Sequence, residues 1–472
     1  MLFVRSLLCI CVLATVTATE AWAQAPAPEP AEPAPTPAEP ASAPAAPAPA
    51  PTPTPAPAPT PAAPPPTPAH ESVPDRPSYA RVYGYLNALL GEIAPFTLER
   101  PVTYDRATGE VIKGQGRMSF DVDAFVMVQG TIGDRYRYFL NFAALGAADP
   151  NERPSLELRN AWVEASIYGQ ALAIRAGRLY RRFGLYNEIL DATPTFIGIR
   201  EPEILDNGHL MVTRTTNLML LGAYGEGTHR IDYSLTTGND ERAGNQVPLG
   251  AELSYSYEQI LKVGVFYYDT MGEAKPAVTV GKGSPKGGVA NWMAEDRYRV
   301  LDIYGQLTAG PWIAQAEICQ SWHRARRDPA ATLLLADPRA SLSPYQYQHF
   351  FSDPLDDTPP TEADVRQRAT YTTRASYLRL GYELRDGMFT PYLQGDYYHN
   401  HEMVPLTAFG GDNEAGYSDH GSFFKIALGA MFRPIAAVAL KLEYGTHLNM
   451  EWAGTSYADP EMRASFSYFW EL

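Results

Sequence analysis

Large apolar side chains recur at every second position in many segments of about ten residues, and this alternation is the feature that most limits the possible folds. Examples are "FKIALGAMF" (424–432), "ALKLEYG" (439–445) and the end of the sequence, "FSYFWEL" (466–472). A period of two residues is that of a β-strand, whose successive side chains point to opposite faces. The pattern therefore predicts an all-β protein whose strands carry one apolar face and one polar face.

The alternation predicts sixteen strands, separated by breaks rich in glycine and proline. We place them at residues 80–89, 117–130, 134–147, 156–168, 171–180, 210–225, 228–238, 249–258, 260–269, 297–309, 311–322, 370–384, 389–399, 421–433, 435–447 and 462–472. The even number agrees with the strand counts of bacterial outer-membrane barrels. We expect the last segment to pair with the first, around residues 81–89, and so to close the cylinder.

A soluble β-sandwich shows the same alternation, but the lengths of the breaks favour an antiparallel transmembrane β-barrel. Tight turns such as "TIGD" (131–134) and "RDGM" (385–388) alternate with long breaks. We place the long breaks at residues 90–116, 148–155, 181–209, 239–248, 270–296, 323–369, 400–420 and 448–461. Outer-membrane barrels have short turns at the periplasmic rim and long loops outside, which places both termini in the periplasm.

Net charge and hydropathy argue against a nucleic-acid-binding protein and against an α-helical membrane protein. The formal net charge of −15 argues against a nucleic-acid partner, because proteins that bind phosphate backbones are usually basic. Outside the N-terminus we find no apolar run of about 18 residues, so the sequence predicts no transmembrane helix. A mean hydropathy of −0.24 fits a barrel, whose alternating strands keep the average near neutral.

The N-terminus predicts export. Residues 1–23 combine Arg5, an apolar stretch and the small-residue site "AWA" before Gln24, which is the pattern of a removed signal peptide. Residues 24–77 form a disordered periplasmic linker rich in proline and alanine, since proline removes backbone donors and favours extended polyproline II structure. Residues 78–472 form the barrel.

A sixteen-stranded barrel has an interior too wide for side chains to fill, so we expect water inside it. The polar faces of the predicted strands supply the residues that would line this channel. They are Arg137, Asp302, Glu317, Arg379, Glu383, Asp396, Lys441 and Glu443.

The third long loop, 181–209, and the strand before it concentrate charge among apolar residues. We expect this loop to fold inward and narrow the channel, with opposed charges producing a transverse field. The predicted constriction residues are Arg175, Arg178, Arg181, Arg182, Glu188, Asp191, Arg200, Glu201 and Glu203. The alternative is an outer loop that packs on its own barrel or on a neighbouring protomer.

The stretch "GR" (177–178), followed by "FGLYNE" (183–188) and Asp191, resembles a segment of sixteen-stranded Gram-negative porins. Within these porins, the segment is similar to that of the relatives of the phosphate-selective porins O and P. This resemblance implies a porin of the outer membrane, a passive diffusion channel that forms a homotrimer. Acidic residues accompany the arginines here, so the resemblance does not extend to a preference for phosphate.

Two other functions remain open. The first is a structural anchor without channel activity, which would contact peptidoglycan through the proline-rich arm while outer-membrane lipid and lipopolysaccharide surround the barrel. The second is an outer-membrane hydrolase, for which His399, His401 and His420 near one outer loop are the candidates. The sequence carries no haem, phosphate-loop, zinc-protease or serine-hydrolase motif, so we predict no cofactor, metal site or catalytic residue.

Overall fold

The computed structural model describes residues 78–472, apart from short stretches at residues 92, 94–98, 105–110, 116–117, 147–153, 190–194, 203–209, 211–213, 226, 240–246, 272–288, 338–339, 341, 353–357, 403, 405–420 and 453–454. The predicted signal peptide and linker lie outside the described residues, as do Asp191, Glu203 and His420.

Eighteen strands are present in the described part of the chain. The first nine are β1 (Tyr79–Gly91), β2 (Glu99–Tyr104), β3 (Val111–Gln115), β4 (Ser119–Ile132), β5 (Tyr136–Leu145), β6 (Ser155–Tyr168), β7 (Leu172–Tyr180), β8 (Arg214–Tyr224) and β9 (His229–Asn239). The others are β10 (Leu249–Tyr257), β11 (Leu261–Asp269), β12 (Met293–Ala309), β13 (Trp312–Arg327), β14 (Arg368–Tyr382), β15 (Phe389–Asn400), β16 (Ser422–Ile435), β17 (Val438–Trp452) and β18 (Thr455–Glu471).

Sixteen of these strands form one closed antiparallel barrel, so the predicted fold class and strand count are confirmed and the sandwich is excluded. Strands β4 to β18 pair in chain order, and β1 lies between β4 and β18. Tyr85 of β1 stands opposite Phe125 of β4 on one side and Phe469 of β18 on the other. The alternating segment at the end of the chain therefore closes the cylinder, as predicted. Strands β2 and β3 form a separate two-stranded sheet within the break after β1.

The connections at one rim are short. Gly133 and Gly310 have φ values of +60° and +58°, which glycine adopts without steric cost, and they turn the chain between β4 and β5 and between β12 and β13. At the other rim the predicted break 448–461 was wrong. Strands β17 and β18 run through most of it, with Pro460 paired opposite Thr446 beside an irregular register at His447 and Met450. Such an irregularity accommodates a proline that cannot donate to the ladder.

The two faces of the barrel wall differ in polarity. On β12, Asp302 is fully buried on the inner face, whereas its neighbour Ile303 is 57% exposed on the outer face. Exposed aromatic side chains mark the short-turn ends of the strands, among them Tyr136, Tyr168, Tyr224 and Trp312. An apolar outer band with such a ring is the pattern of a barrel that spans a lipid bilayer.

In the described part of the chain, the long-connection rim carries two short α-helices, α1 (Pro329–Leu333) and α2 (Pro344–Phe350), both after β13. Buried Glu402 joins three connections there. Its carboxylate accepts hydrogen bonds from Arg327 Nε (3.0 Å) and Trp292 Nε1 (3.3 Å) and lies 2.8 Å from Nε2 of His349 on α2. Burial acts to raise the pKa of Glu402, but Arg327 and His349 hold it well below its usual value. No helix in the described part of the chain is long and apolar enough to cross a membrane.

Candidate functional site

The connection between β7 and β8 contacts the inner wall on the opposite side of the barrel. We call its described residues, 181–189 and 195–202, the crossing segment. Its aromatic residues pack against wall residues, with Phe183 5.3 Å from Phe266 and Tyr186 6.1 Å from Tyr377 between ring centroids. Phe196 lies edge-to-face against Tyr186, at 5.4 Å. The apolar content of this connection is therefore buried inside the barrel.

The first half of the crossing segment is held by β13 and β14. The backbone N–H of Leu185 donates to Glu317 Oε2 at 3.3 Å, and the Tyr186 hydroxyl donates to Gln315. Arg379 Nη1 donates to the Tyr186 oxygen at 2.5 Å. Burial raises the pKa of Tyr186, so the hydroxyl stays protonated and can donate.

Gly184 allows this close approach. Its φ is +61°, and a Cβ built on it would lie 2.0 Å from Glu317 Oε1. Any larger residue would meet both the backbone strain and the Glu317 carboxylate.

The second half of the crossing segment is held through its backbone. Lys441 Nζ on β17 donates to the carbonyl oxygens of Phe196 (2.7 Å) and Gly198 (2.9 Å). The N–H of Ile199 donates to Glu443 Oε2 at 3.4 Å. Buried charges that hydrogen-bond to backbone groups fix a loop more firmly than solvent-exposed pairs.

The crossing segment extends far into the barrel. Arg433 lies two residues before the end of β16, beside the short turn to β17, and its Nη2 donates to the carbonyl oxygen of Thr195 at 3.3 Å. The segment starts at the end of β7, on the opposite rim. It therefore reaches from the long-connection rim to near the short-turn rim.

The inner wall formed by β5 to β10 carries both exposed and buried charges, since Arg137 is exposed whereas Glu164 and Glu252 are buried. Arg175 on β7 donates to Glu164 Oε2 at 2.8 Å, and its guanidinium lies over the Trp162 ring, 4.1 Å from the centroid. Arg137, opposite Glu164 on β5, has a side chain that is 67% exposed. We call the inner face around these residues the uncovered wall.

Charges of the crossing segment face the uncovered wall. Glu188 lies 3.8 Å from Arg175 Nη1 and accepts a hydrogen bond from Arg182 Nε at 3.3 Å. Arg182 Nη1 is also 3.9 Å from Glu252 on β10. Burial acts to lower the pKa of Arg182, but Glu188 and Glu252 outweigh it and hold the pKa above its usual value. Opposite charges thus alternate between segment and wall.

The structure brings some of the predicted constriction residues together and places another on the outer face of the barrel. Arg175, Arg182 and Glu188 come together as described. Arg178 pairs with Ala161 and Thr216 on the outer face and is exposed, so its predicted inward position was wrong. The cause is the strand period, because Arg175 and Arg178 are an odd number of residues apart.

The other described members of that set lie within the crossing segment. Arg181 is buried with its guanidinium 4.9 Å from the centre of the Tyr268 ring. The carbonyl oxygen of Arg200 accepts a hydrogen bond from Arg379 Nη2 at 3.4 Å. Glu201 is partly buried two residues after Ile199.

The predicted pore-lining residues need a correction. Six of them are on the inner face, but their side chains are buried and do not face water. They are Asp302, Glu317, Arg379, Asp396, Lys441 and Glu443. Several hold the crossing segment directly, and Arg379 also donates to Gln394, which in turn donates to Asp396. Glu383 follows β14 in the short turn, where its N–H donates to the carbonyl oxygen of Pro311.

Sequence reasoning missed several residues that build the site. Tyr186, Gln315 and Phe196 fix the crossing segment, and Glu164 and Glu252 pair with the arginines that face it. The alternation does place Glu164 and Glu252 on polar faces. Nothing in the sequence indicates which polar positions the crossing segment reaches, because that depends on where an irregular backbone runs.

A Ser–His–Asp set lies on the inner wall near the long-connection rim. Ser321 Oγ is 2.7 Å from His323 Nε2, and His323 Nδ1 is 2.7 Å from Asp296 Oδ2, the order found in serine hydrolases. All three side chains are buried, and the His323 ring is stacked 4.2 Å from that of Tyr371. A nucleophile needs open space for a substrate beside it, and buried Ser321 has none. Among the described residues, no group of three or more His, Cys, Asp or Glu is arranged to hold a metal ion.

Comparisons with known proteins found matches to the fold of the chain but not to its sequence. No protein-family model matches the sequence, and no curated protein sequence matches it. An anion-selective porin from Comamonas acidovorans is 11% identical, with 84% of this chain and 100% of that chain covered and a TM-score of 0.49. Salmonella typhi OmpF, in a complex with daunomycin, is 12% identical, with 83% and 97% covered and a TM-score of 0.48. The outer membrane channel DcaP of Acinetobacter baumannii is 11% identical, with 83% and 97% covered and a TM-score of 0.45.

Proposed function

We propose that the protein is an outer-membrane porin, a passive channel for small hydrophilic solutes or ions that the crossing segment narrows. The observation that carries the proposal is the asymmetry of the interior. The crossing segment is docked on the wall of β12 to β17, while Arg137, Arg175, Arg182 and Glu188 keep partly exposed charges over the uncovered wall. Partly exposed charges inside a membrane barrel are stable only where water reaches them.

The constriction lies between the crossing segment and the uncovered wall. Solutes that pass there meet Arg175 and Arg182 beside Glu164, Glu188 and Glu252. Rows of opposite charge produce a transverse field, which orients dipolar solutes and limits their size.

We also propose how the chain is placed relative to the outer membrane. The exposed apolar band and the aromatic ring support a barrel in the outer membrane, with the short turns in the periplasm. Residues 1–23 are then a removed signal peptide, and residues 24–77 are a periplasmic arm available to peptidoglycan. The resemblance of residues 177–191 to porins supports a homotrimer.

The deciding experiment is single-channel recording of the purified protein in planar lipid bilayers. We expect discrete conductance steps in symmetrical salt, and the reversal potential in a salt gradient then gives the charge selectivity. Bilayers that stay silent at all protein concentrations would refute the channel.

A non-conducting structural anchor is the second candidate. The depth to which the crossing segment packs favours it, since the hydrogen bond between Arg433 and Thr195 lies near the short-turn rim. Silent bilayers, combined with co-sedimentation of the full chain with purified peptidoglycan, would establish the anchor instead.

A further inference from the structure

Arginines are concentrated on the outer face of the barrel at the long-connection ends of β12, β13 and β14. We call this group the arginine patch. It consists of Arg297, Arg299, Arg324, Arg326 and Arg368. The strand register brings them together, since Arg297 pairs with Arg324 and Arg326 pairs with both Glu295 and Arg368.

The patch carries more positive charge than its neighbours neutralise. On the outward-facing ends of β11 to β14, the described carboxylates are Asp269 and Glu295. Asp269 lies 2.7 Å from Arg299 and 3.9 Å from Arg297, and Glu295 lies 3.0 Å from Arg326. Two carboxylates face five arginines.

Arg324 has unused donors, since it is exposed and forms no ion pair within the described residues. Arginines that outnumber the described carboxylates around them favour an anionic ligand, because each guanidinium can donate paired hydrogen bonds.

The position along the strand fixes the level of the patch in a membrane. Trp312 and Trp322 lie on the outer face of β13, ten residues apart, and both are exposed. At about 3.3 Å per residue and a tilt of about 40°, they are about 25 Å apart along the barrel axis, the height of the apolar band. Arg324 and Arg326 follow Trp322 and so stand at the level of lipid headgroups.

A cavity of about 730 Å³ opens at this place. Its lining includes Tyr267, Arg297, Arg299, Trp322, Arg324 and Thr372. Closer to the middle of the same strands, Ile303 and Ile318 are exposed apolar residues of the outer face. Charged donors stand above and an apolar wall lies below, which matches a lipid with an anionic headgroup.

We propose that the arginine patch binds the phosphorylated headgroup of a lipid in the outer leaflet, whose acyl chains lie along the apolar wall below. The inference rests on the proposed placement in the outer membrane. Guanidinium groups suit phosphate because their planar set of donors forms paired hydrogen bonds with phosphate oxygens. Several arginines within one cavity favour a headgroup with more than one phosphate.

Native mass spectrometry of the full chain in detergent tests the site. The probes are bis-phosphorylated lipid A, the same lipid without phosphates, and inorganic phosphate as a competitor. The variant is Arg297→Gln/Arg324→Gln, and Arg324→Gln alone is the milder version, since Arg324 gives up no ion pair. Arg178→Gln, another exposed outward arginine on β7, is the matched control.

We expect the wild type and Arg178→Gln to retain lipid A equally, and the double variant to retain it about tenfold less well. The dephosphorylated lipid should bind as weakly to the wild type as lipid A binds to the double variant. Millimolar inorganic phosphate should not displace the lipid.

The site is refuted if the double variant retains lipid A, if the dephosphorylated lipid binds equally, or if inorganic phosphate displaces it. A changed oligomeric state of the variant, with lipid retention unchanged, would assign the surface to a second copy of the chain. Bilayer conductance of the same samples separates this inference from the channel proposal, because conductance should be equal in wild type and variants. Silent wild-type bilayers would refute the channel and leave the lipid result standing.

Discussion

The ammonium group of Lys441 lies 2.7 Å from the carbonyl oxygen of Phe196, and 245 residues separate the two in the chain. This contact joins the crossing segment to β17 and gives the buried amine of Lys441 a backbone acceptor. The position of the segment, and with it the proposed constriction, depends on a few such contacts.

Replacing Lys441 should loosen the constriction. Lys441→Met removes both hydrogen bonds to the crossing segment, and hydrogen bonds of this kind contribute about 0.5–1.5 kcal/mol each. We expect a larger and noisier single-channel conductance in planar bilayers. Lys262→Met, on the inner face of β11 near the Tyr304 ring, is the control and should leave the channel noise unchanged. Equal noise in the two variants would show that Lys441 does not hold the segment.

Gly184→Ala should disturb the docking of the crossing segment. The new Cβ would meet Glu317 at 2.0 Å, in addition to a backbone cost of about 1–2 kcal/mol for a non-glycine residue at positive φ. Gly133→Ala has the same φ cost, at +60°, with no atom within 4 Å of the new Cβ. We expect the melting temperature to fall clearly further for Gly184→Ala. Matching decreases would mean that backbone strain alone accounts for the loss.

Arg137→Glu should change ion selectivity. Its side chain is 67% exposed, and it lies near the short-turn rim within 3.7 Å of Glu164. Reversing its charge leaves carboxylates at positions 137 and 164, which attract cations. We expect the reversal potential in a potassium chloride gradient to move toward cation selectivity, with Arg178→Glu on the outer face unchanged. A shift of the same size in both variants would contradict an inward role for Arg137.

Glu402→Gln should loosen the three connections that Glu402 joins at the long-connection rim. Removing one partner of a buried ion pair costs about 3–5 kcal/mol, and here Arg327 is left buried without its counter-ion. Glu295→Gln, which breaks the partly exposed pair with Arg326, should cost under about 1 kcal/mol. Faster proteolysis between residues 328 and 367 in Glu402→Gln would report the release.

The stability lost in Glu402→Gln should depend on pH, because the pKa of Glu402 is depressed and Arg327 contributes to this shift. A carboxylate whose pKa is lower in the folded state stabilises the fold above its unfolded pKa of about 4.3. This stabilisation is lost only as the pH falls through the lowered folded value. The difference in melting temperature between wild type and Glu402→Gln should therefore persist from pH 5 to 8 and shrink only in stronger acid. A difference that disappears near pH 6 would assign the effect to another group.

Ser321 should be inert toward a serine-directed fluorophosphonate probe. Its hydroxyl is buried against His323, so the probe has no approach. Ser321→Ala should lose about 1 kcal/mol of stability for the missing hydrogen bond and leave conductance unchanged. Labelling of Ser321 in the folded protein, absent in His323→Ala, would instead favour the hydrolase function.

The barrel could be predicted because the alternation of apolar and polar residues that produces it is visible within each short stretch of sequence. Leu428 and Lys425 differ in exposure through a period of two, which any stretch of the sequence displays without its neighbours. Prediction from the sequence failed where a local pattern, such as a proline or a cluster of charges, did not reflect the strand that contains it. The break predicted at residues 448–461 contains Pro460, yet β18 continues through that residue beside an irregular register. Arg178 shares a short charged motif with Arg175, although the strand period sends them to opposite faces.

The sequence alone determined which side chains share a face of a strand, because alternation is a property of each strand. Only the tertiary structure decided which of the inward residues meet water. Asp302 and Arg137 both lie on the inner face, yet one is buried beside the crossing segment and the other is exposed. The path of an irregular connection depends on contacts between residues far apart in the chain, such as Lys441 and Phe196, and no short stretch of sequence contains both partners.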